Sequence, residues 1–293
     1  MVVNDKRSFS AILGLLVSFF TIFIASPSYS FANDSSAEAI GGGLVLLKRQ
    51  DIAMVSEDLY ISQSKIEVNY IFENLTNRDI TTLVAFPTPE LPVEMDMDIG
   101  NNSIPDANPN GREVNFRVWV EGKEIAVKED KRVIQSDENY GYSGDDYHIT
   151  YYWQQTFPKG KKIHVRHTYS PIVGGSGFYS PLDAYTMAID DKELYCPDGG
   201  FKKALQRKQE QYRFAYYNTL GYILTTGANW AGGTIGDFRL VVDKGSPDAL
   251  VTFCGENVKK ISPTQFEMRA QNYQPTHNIG VIIVNGFYNM DED

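Results

Sequence analysis

The chain has no excess of basic charge. Its 27 Lys and Arg stand against 37 Asp and Glu, giving a formal net charge of -10. A nucleic-acid partner needs a basic field, so that class is excluded for the chain as a whole. An acidic balance is simply a solubility feature of an extracytoplasmic protein. The chain also lacks the G-x-x-x-x-G-K pattern that cradles phosphates. Gly174-Gly175-Ser176-Gly177 falls short of a nucleophile elbow, because Phe178 stands where the second glycine belongs. Past the N-terminal leader no apolar run is long enough to span a bilayer. No Cys follows that leader, so lipoprotein attachment is not indicated. Cysteine itself is scarce, with only Cys196 and Cys254.

The leader is the strongest signal present. Lys6 and Arg7 form a basic n-region, and Ala11 to Ile24 is almost wholly apolar. Ser30-Phe31-Ala32 then places small residues where a signal peptidase needs them, which puts cleavage between Ala32 and Asn33. A retained anchor is the rival, but its apolar run is shorter than the roughly 20 residues a span requires. The expected location is periplasmic or secreted. In such a compartment two lone cysteines pair, so a Cys196–Cys254 disulfide is expected over a reactive thiol. In the chain-entropy model, closing that loop removes on the order of 4 kcal/mol of unfolded-state freedom.

The chain has 293 residues with 42 % hydrophobic and 13 % aromatic content, enough for a sizeable core. Tyr, Phe, Val, Ile and Thr favour strands. In Lys65 to Pro89, Ile66, Val68, Tyr70 and Phe72 alternate with Glu67, Asn69 and Glu73, the period of a strand with one buried face. Asn74 to Asp79 is a turn cluster, and Ile80 to Phe86 is a second β-rich run. These two runs read as an antiparallel hairpin. Val114, Phe116, Val118 and Val120 alternate in the same way and turn at Glu121-Gly122-Lys123 into Glu124 to Val127. Tyr151 to Pro171 reads as a further hairpin about Pro158-Lys159-Gly160-Lys161. On its second arm His164 and His167 point to opposite faces and cannot form a two-ligand metal set.

A helix is predicted from about Gly199 to Tyr212, with Asp198 as N-cap and Lys208 interrupting its apolar stripe. Short strands at regular spacing follow to the C-terminus. The fold class is therefore mainly β, of antiparallel β-sandwich type, with one amphipathic helix between two packed β regions. The expected division is 1–32 signal peptide, 33–190 N-terminal β-sandwich region, and 191–293 helix plus C-terminal β-sandwich region.

Three features bear on function. The acidic loop 94–110 holds oxygen ligands for calcium, but its spacing departs from an EF-hand loop, and a solvated loop is the plainer reading. Tyr140 and Tyr142 lie in a Gly, Ser and Asp-rich loop and offer contact area at low entropic cost; the alternative is that they pack back on the sheet. Trp230, beside Gly232 and Gly233, is either a stacking platform or a core plug.

Several stretches together resemble a bacterial exported family, domain of unknown function 4424. They are Asn33 to Glu38 with the following glycines, Val84-Ala85-Phe86-Pro87, Phe157-Pro158-Lys159-Gly160, His167 to Pro171, and Asn229-Trp230 through Phe238. The resemblance implies an envelope protein and brings no activity or catalytic residues.

The sequence thus favours a non-enzymatic binding module for an envelope protein, peptide or glycan, with Tyr140, Tyr142 and Trp230 as candidate contacts. No cofactor is required by any motif. The rival enzyme reading is a hydrolase of envelope polymers, using Asp145, Asp146 or Asp237 as acid and His148 or His167 as base. A third reading is a purely structural envelope scaffold.

Overall fold

The computed structural model describes residues 35–40, 43–88, 114–134, 146–171, 173–178 and 180–289. The described chain is mainly β, built as stacked, predominantly antiparallel sheets with three helices.

The largest sheet has eight strands. Its centre is β3 (Ile52–Ile61) and β4 (Ile66–Asn74), which pair antiparallel. β10 (Lys162–Tyr169) pairs with β4 and with β6 (Arg117–Val120), and β6 with β7 (Lys123–Ile125). On the other side β3 takes β13 (Ile235–Asp243) as a parallel neighbour, followed by β16 (Gln265–Tyr273) and β15 (Lys259–Lys260). Strands from beyond residue 191 thus complete a sheet begun before it. The two expected β regions share one ladder, in which β13 from after residue 190 pairs with β3 from before it.

A five-stranded sheet contains β1 (Ser35–Ile40), β2 (Gly43–Leu47), β5 (Ile80–Pro87), β8 (Lys128–Ile134) and β9 (Asp146–Phe157). A four-stranded sheet contains β11 (Gly174–Phe178), β12 (Phe214–Tyr222), β14 (Leu250–Phe253) and β17 (Ile279–Tyr288). Both smaller sheets pack on the same face of the large one. Phe72 of β4 meets Phe157 of β9, with ring centres 6.0 Å apart, and Tyr70, two residues earlier, meets Tyr222 of β12.

Two expected hairpins are not hairpins. β4 and β5 lie in different sheets, as do β9 and β10. Each turn carries the chain across the core from one sheet to the other. Period-2 alternation is identical for a hairpin and for such a crossing, because both bury the same face of each strand. The two crossings are tied together. Asn74 donates its side-chain amide to the carbonyls of Arg78 and Phe157, both at 2.8 Å, and the Lys159 amide donates to Asp79. The β6–β7 hairpin does form, on a two-residue turn with Glu121 at φ 49° and Gly122 at φ 76°.

β17 shows why the four-stranded sheet is internal. Val281 and Ile283 enter the main core, while Ile282 and Val284 face Ala184, Ala188, Phe201 and Leu205 on the helices. A strand buried on both faces reads as an unbroken apolar run. The helices are α1 (Asp183–Asp190), α2 (Lys192–Tyr195) and α3 (Gly199–Gln209). α3 is the predicted helix, and the Asp198 carboxylate accepts from the Phe201 amide at 2.6 Å. Lys208 lies over Phe287, its ammonium 4.6 Å from the ring centre, so its stem does cover apolar surface. α1 and α2 were not predicted. The signal for α1 is Ser180-Pro181-Leu182-Asp183, where Ser180 Oγ accepts from the Leu182 amide and Asp183 accepts from the Ser180 amide.

Cys196 at the end of α2 and Cys254 just after β14 form the expected disulfide. It clips the helical layer to the edge of the sheet beneath it.

Candidate functional site

The outer face of the large sheet carries no covering layer among the described residues. On β10 every second residue is exposed: Lys162, His164 and Arg166, with Ile163, Val165 and His167 buried behind. The same alternation on β6 turns Val118 inward and Arg117 and Trp119 outward. Ladder register then aligns these outward residues into rows. One row runs Trp119, Arg166, Asn69, Asp58, Arg239 and Arg269 across six strands. A neighbouring row runs His164, Ile71, Ser56, Asp237 and Gln271. Together they floor a groove of about 600 Å3.

The β3–β13–β16 side of the groove is a fixed ion network. Arg239 donates to Asp58 at 2.9 Å and to Glu267 at 2.8 Å, and Arg269 donates to the same Glu267 oxygen at 3.1 Å. Those hydrogen bonds, from Arg269 first and Arg239 next, hold the Glu267 carboxyl below its usual range.

The β6 end is different. The Arg166 guanidinium lies 4.1 Å from the centre of the Trp119 ring, and that of Arg117 lies 4.8 Å from it. Cation–π contact with an indole orients a guanidinium without neutralising it. Arg117 is spoken for by a two-pronged pair with Glu124, at 2.8 and 2.6 Å. Arg166 has no carboxylate partner among the described residues, and it is flanked in register by Asn69. A charged donor, an amide and an imidazole therefore converge on open solvent. That is a set able to hydrogen-bond an oxyanion.

The residues singled out in the sequence fall elsewhere. Trp230 is completely buried, its ring 4.7 Å from Phe72 and 6.1 Å from Phe157. It is a core plug between two short 3-10 turns, not a contact residue, because a ring that large fills the gap where the sheets meet. Tyr140, Tyr142, Asp145, Ala32, Asn33 and the 94–110 loop lie outside the described residues. Asp146 and His148 lie at the start of β9, and their side chains lie outside the described ones. His167, offered as a base, is fully buried among Tyr70, Phe86, Phe116 and Trp153, with ring centres 5.1–5.5 Å away, so no substrate reaches it. Asp237 is exposed in the groove. The base offered with it, His167, points to the opposite, buried face of the same sheet, so the two do not form an acid–base pair. Among the described residues no three His, Cys, Asp or Glu are grouped to hold a metal ion.

Trp119, Arg166 and Asn69 were missed in the sequence. The signal lay in the residues between the apolar ones: an alternating strand that places Trp and Arg on its polar side is spending an aromatic on solvent.

Fold and groove together define a disulfide-clipped, mainly β protein with a charged groove on the open face of its main sheet. The chain belongs to the family described as domain of unknown function 4424, whose model matches residues 32–141 and 144–282. No curated protein matches it in sequence. Among solved structures it is similar to a candidate nutrient binding protein from Legionella pneumophila, with 18% identity and a TM-score of 0.47, over 87% of this chain and 71% of that one.

Proposed function

We propose that the protein is an exported bacterial binding module that takes a ligand or partner of the cell envelope in the groove of its main sheet. The observation that carries this is Arg166: an exposed cation set against Trp119, flanked by Asn69, with no carboxylate partner among the described residues. Evolutionary cost aside, an oriented and uncompensated charge in a concavity is how proteins prepare for an oppositely charged group. Export is supported by the basic, apolar and small-residue segments ending at Ala32, and by the Cys196–Cys254 disulfide, which belongs to an oxidising compartment.

The test is chemical crosslinking in intact envelopes with the wild-type chain and with Trp119→Ala. The variant removes an outward side chain and leaves the core intact. The expected result is a crosslinked product formed by the wild type and lost in the variant, with the mature N-terminus at Asn33. An identical crosslinking pattern from both proteins overturns the reading of the groove.

A further inference from the structure

Taking the groove as a binding site, its charges narrow the class of ligand. Asp58, Arg239 and Arg269 are all consumed by the ion network of β3, β13 and β16, through one another or through Glu267. Two of the groove's solvent-exposed charged side chains pair with no described ion: Arg166 on β10 and Asp237 on β13. They have opposite signs. They are separated by three strand steps and by two residues along the strand, because Arg166 aligns through Asn69 and Asp58 with Arg239, two positions past Asp237. Ladder geometry makes that about 16 Å between their backbone positions.

A polyanion suits Arg166 but meets Asp237, Asp58 and Glu267 further along. A polycation meets the reverse. A neutral sugar needs an open aromatic face, and the indole of Trp119 is attended by Arg166 and Arg117. A ligand with one charge of each sign at its two ends satisfies both open ions at once. Between them Asn69 and Ser56 offer an amide and a hydroxyl, and Ile71 an apolar contact. These suit peptide groups and a small side chain.

We infer that the groove takes a short zwitterionic peptide. It lies across the strands, with its C-terminal carboxylate on Arg166 and its N-terminal ammonium on Asp237. At roughly 3.3–3.6 Å per extended residue, about four residues cover the distance. The contact at Arg166 is a charge-assisted hydrogen bond on a guanidinium already oriented by Trp119. The contact at Asp237 is an ammonium on an exposed carboxylate.

The experiment is calorimetric titration of the disulfide-bonded chain with tetraalanine, in forms with both ends free, N-acetylated, or C-amidated. The free peptide is expected to bind, and each cap to weaken it by about tenfold or more. Dialanine is expected to bind more weakly than tetraalanine, since it cannot reach both ions. Arg166→Gln is expected to remove sensitivity to C-amidation only, and Asp237→Asn sensitivity to N-acetylation only. Both side chains are exposed, so both variants fold; circular dichroism checks this. Absence of binding by free tetraalanine, or equal binding of all three forms, overturns the inference. So does tight binding of an acidic oligosaccharide in its place. If the peptide fails while Trp119→Ala still abolishes envelope crosslinking, the ligand class is wrong and the site stands. If crosslinking is also unchanged, the site itself is wrong.

Discussion

Tyr222 donates its hydroxyl hydrogen to Glu57 at 2.9 Å, across 165 residues of sequence and across the interface between two sheets. Glu57 is fully buried. The Tyr70 hydroxyl lies 2.9 Å from that of Tyr222, and since Tyr222 gives its one hydrogen to Glu57, Tyr70 is the donor between them. Burial first, and the Glu57 charge second, hold the Tyr222 hydroxyl well above its ordinary titration range. Tyr222→Phe deletes the middle member of this chain. It is expected to destabilise the fold by about 1–3 kcal/mol, the cost of a lost hydrogen bond to a buried charged group. Urea unfolding at neutral pH measures it.

His167 gives the fold an acid sensitivity. Burial pushes its imidazole down to about 3, against an ordinary value of 6.5. Between those limits the unfolded chain binds a proton that the folded chain refuses. Stability from this residue is therefore complete above about pH 6.5 and lost as pH falls toward 3, at about 1.4 kcal/mol per pH unit. His167→Phe, which keeps a ring among Phe86, Phe116 and Trp153, is expected to flatten that slope. Parallel denaturant titrations of both proteins from pH 7 to pH 4 show the difference, and equal slopes would contradict the assignment.

Trp230→Ala is expected to cost about 3–5 kcal/mol, the range for emptying a large buried aromatic site. Thermal unfolding reads it. Because the ring is enclosed by Phe72 and Phe157, this variant reports on the core and is a poor control for ligand binding.

Gly280 on β17 faces α2. A methyl group there would overlap Leu194 and stand 2.9 Å from Tyr195. Gly280→Ala is expected to destabilise by about 1–3 kcal/mol through overpacking, with the helical layer loosening first. Hydrogen exchange in residues 183–209, compared with the main sheet, detects it.

Replacing both Cys196 and Cys254 with Ala frees a loop of sequence separation 58. The expected cost is about 4 kcal/mol in the chain-entropy model. Equal midpoints for the oxidised protein and the double variant would show that the bridge contributes little.

What the sequence revealed, and what it hid, follows from the reach of each signal. Strand alternation at Ile66 to Phe72 is local, and it marks the buried face correctly. The choice of pairing partner is not local: β3 finds β13, 174 positions later if counted from Ile61 to Ile235, and nothing in either strand announces that match. The crossings after Asn74 and Phe157 hid for a related reason, since a turn that changes sheets uses the same residue types as one that does not. α3 was legible because Asp198 caps it and Phe201 and Leu205 mark its stripe. α1 was hidden because its inward residues, Ala184 and Ala188, are small and give a faint pattern. The groove was legible only in hindsight of register. Arg166 and Asp237 lie 71 positions apart, and only the ladder brings them onto one floor.

The parallel pairing of β3 with β13 also imposes a timetable. Ribosomes deliver β3 early, yet the neighbour that completes its outer hydrogen-bond row begins at Ile235. Until then the centre of the largest sheet has an unfinished border, open to capture by another molecule's strand. A chain of this design depends on being kept from premature contact until its final third has been made.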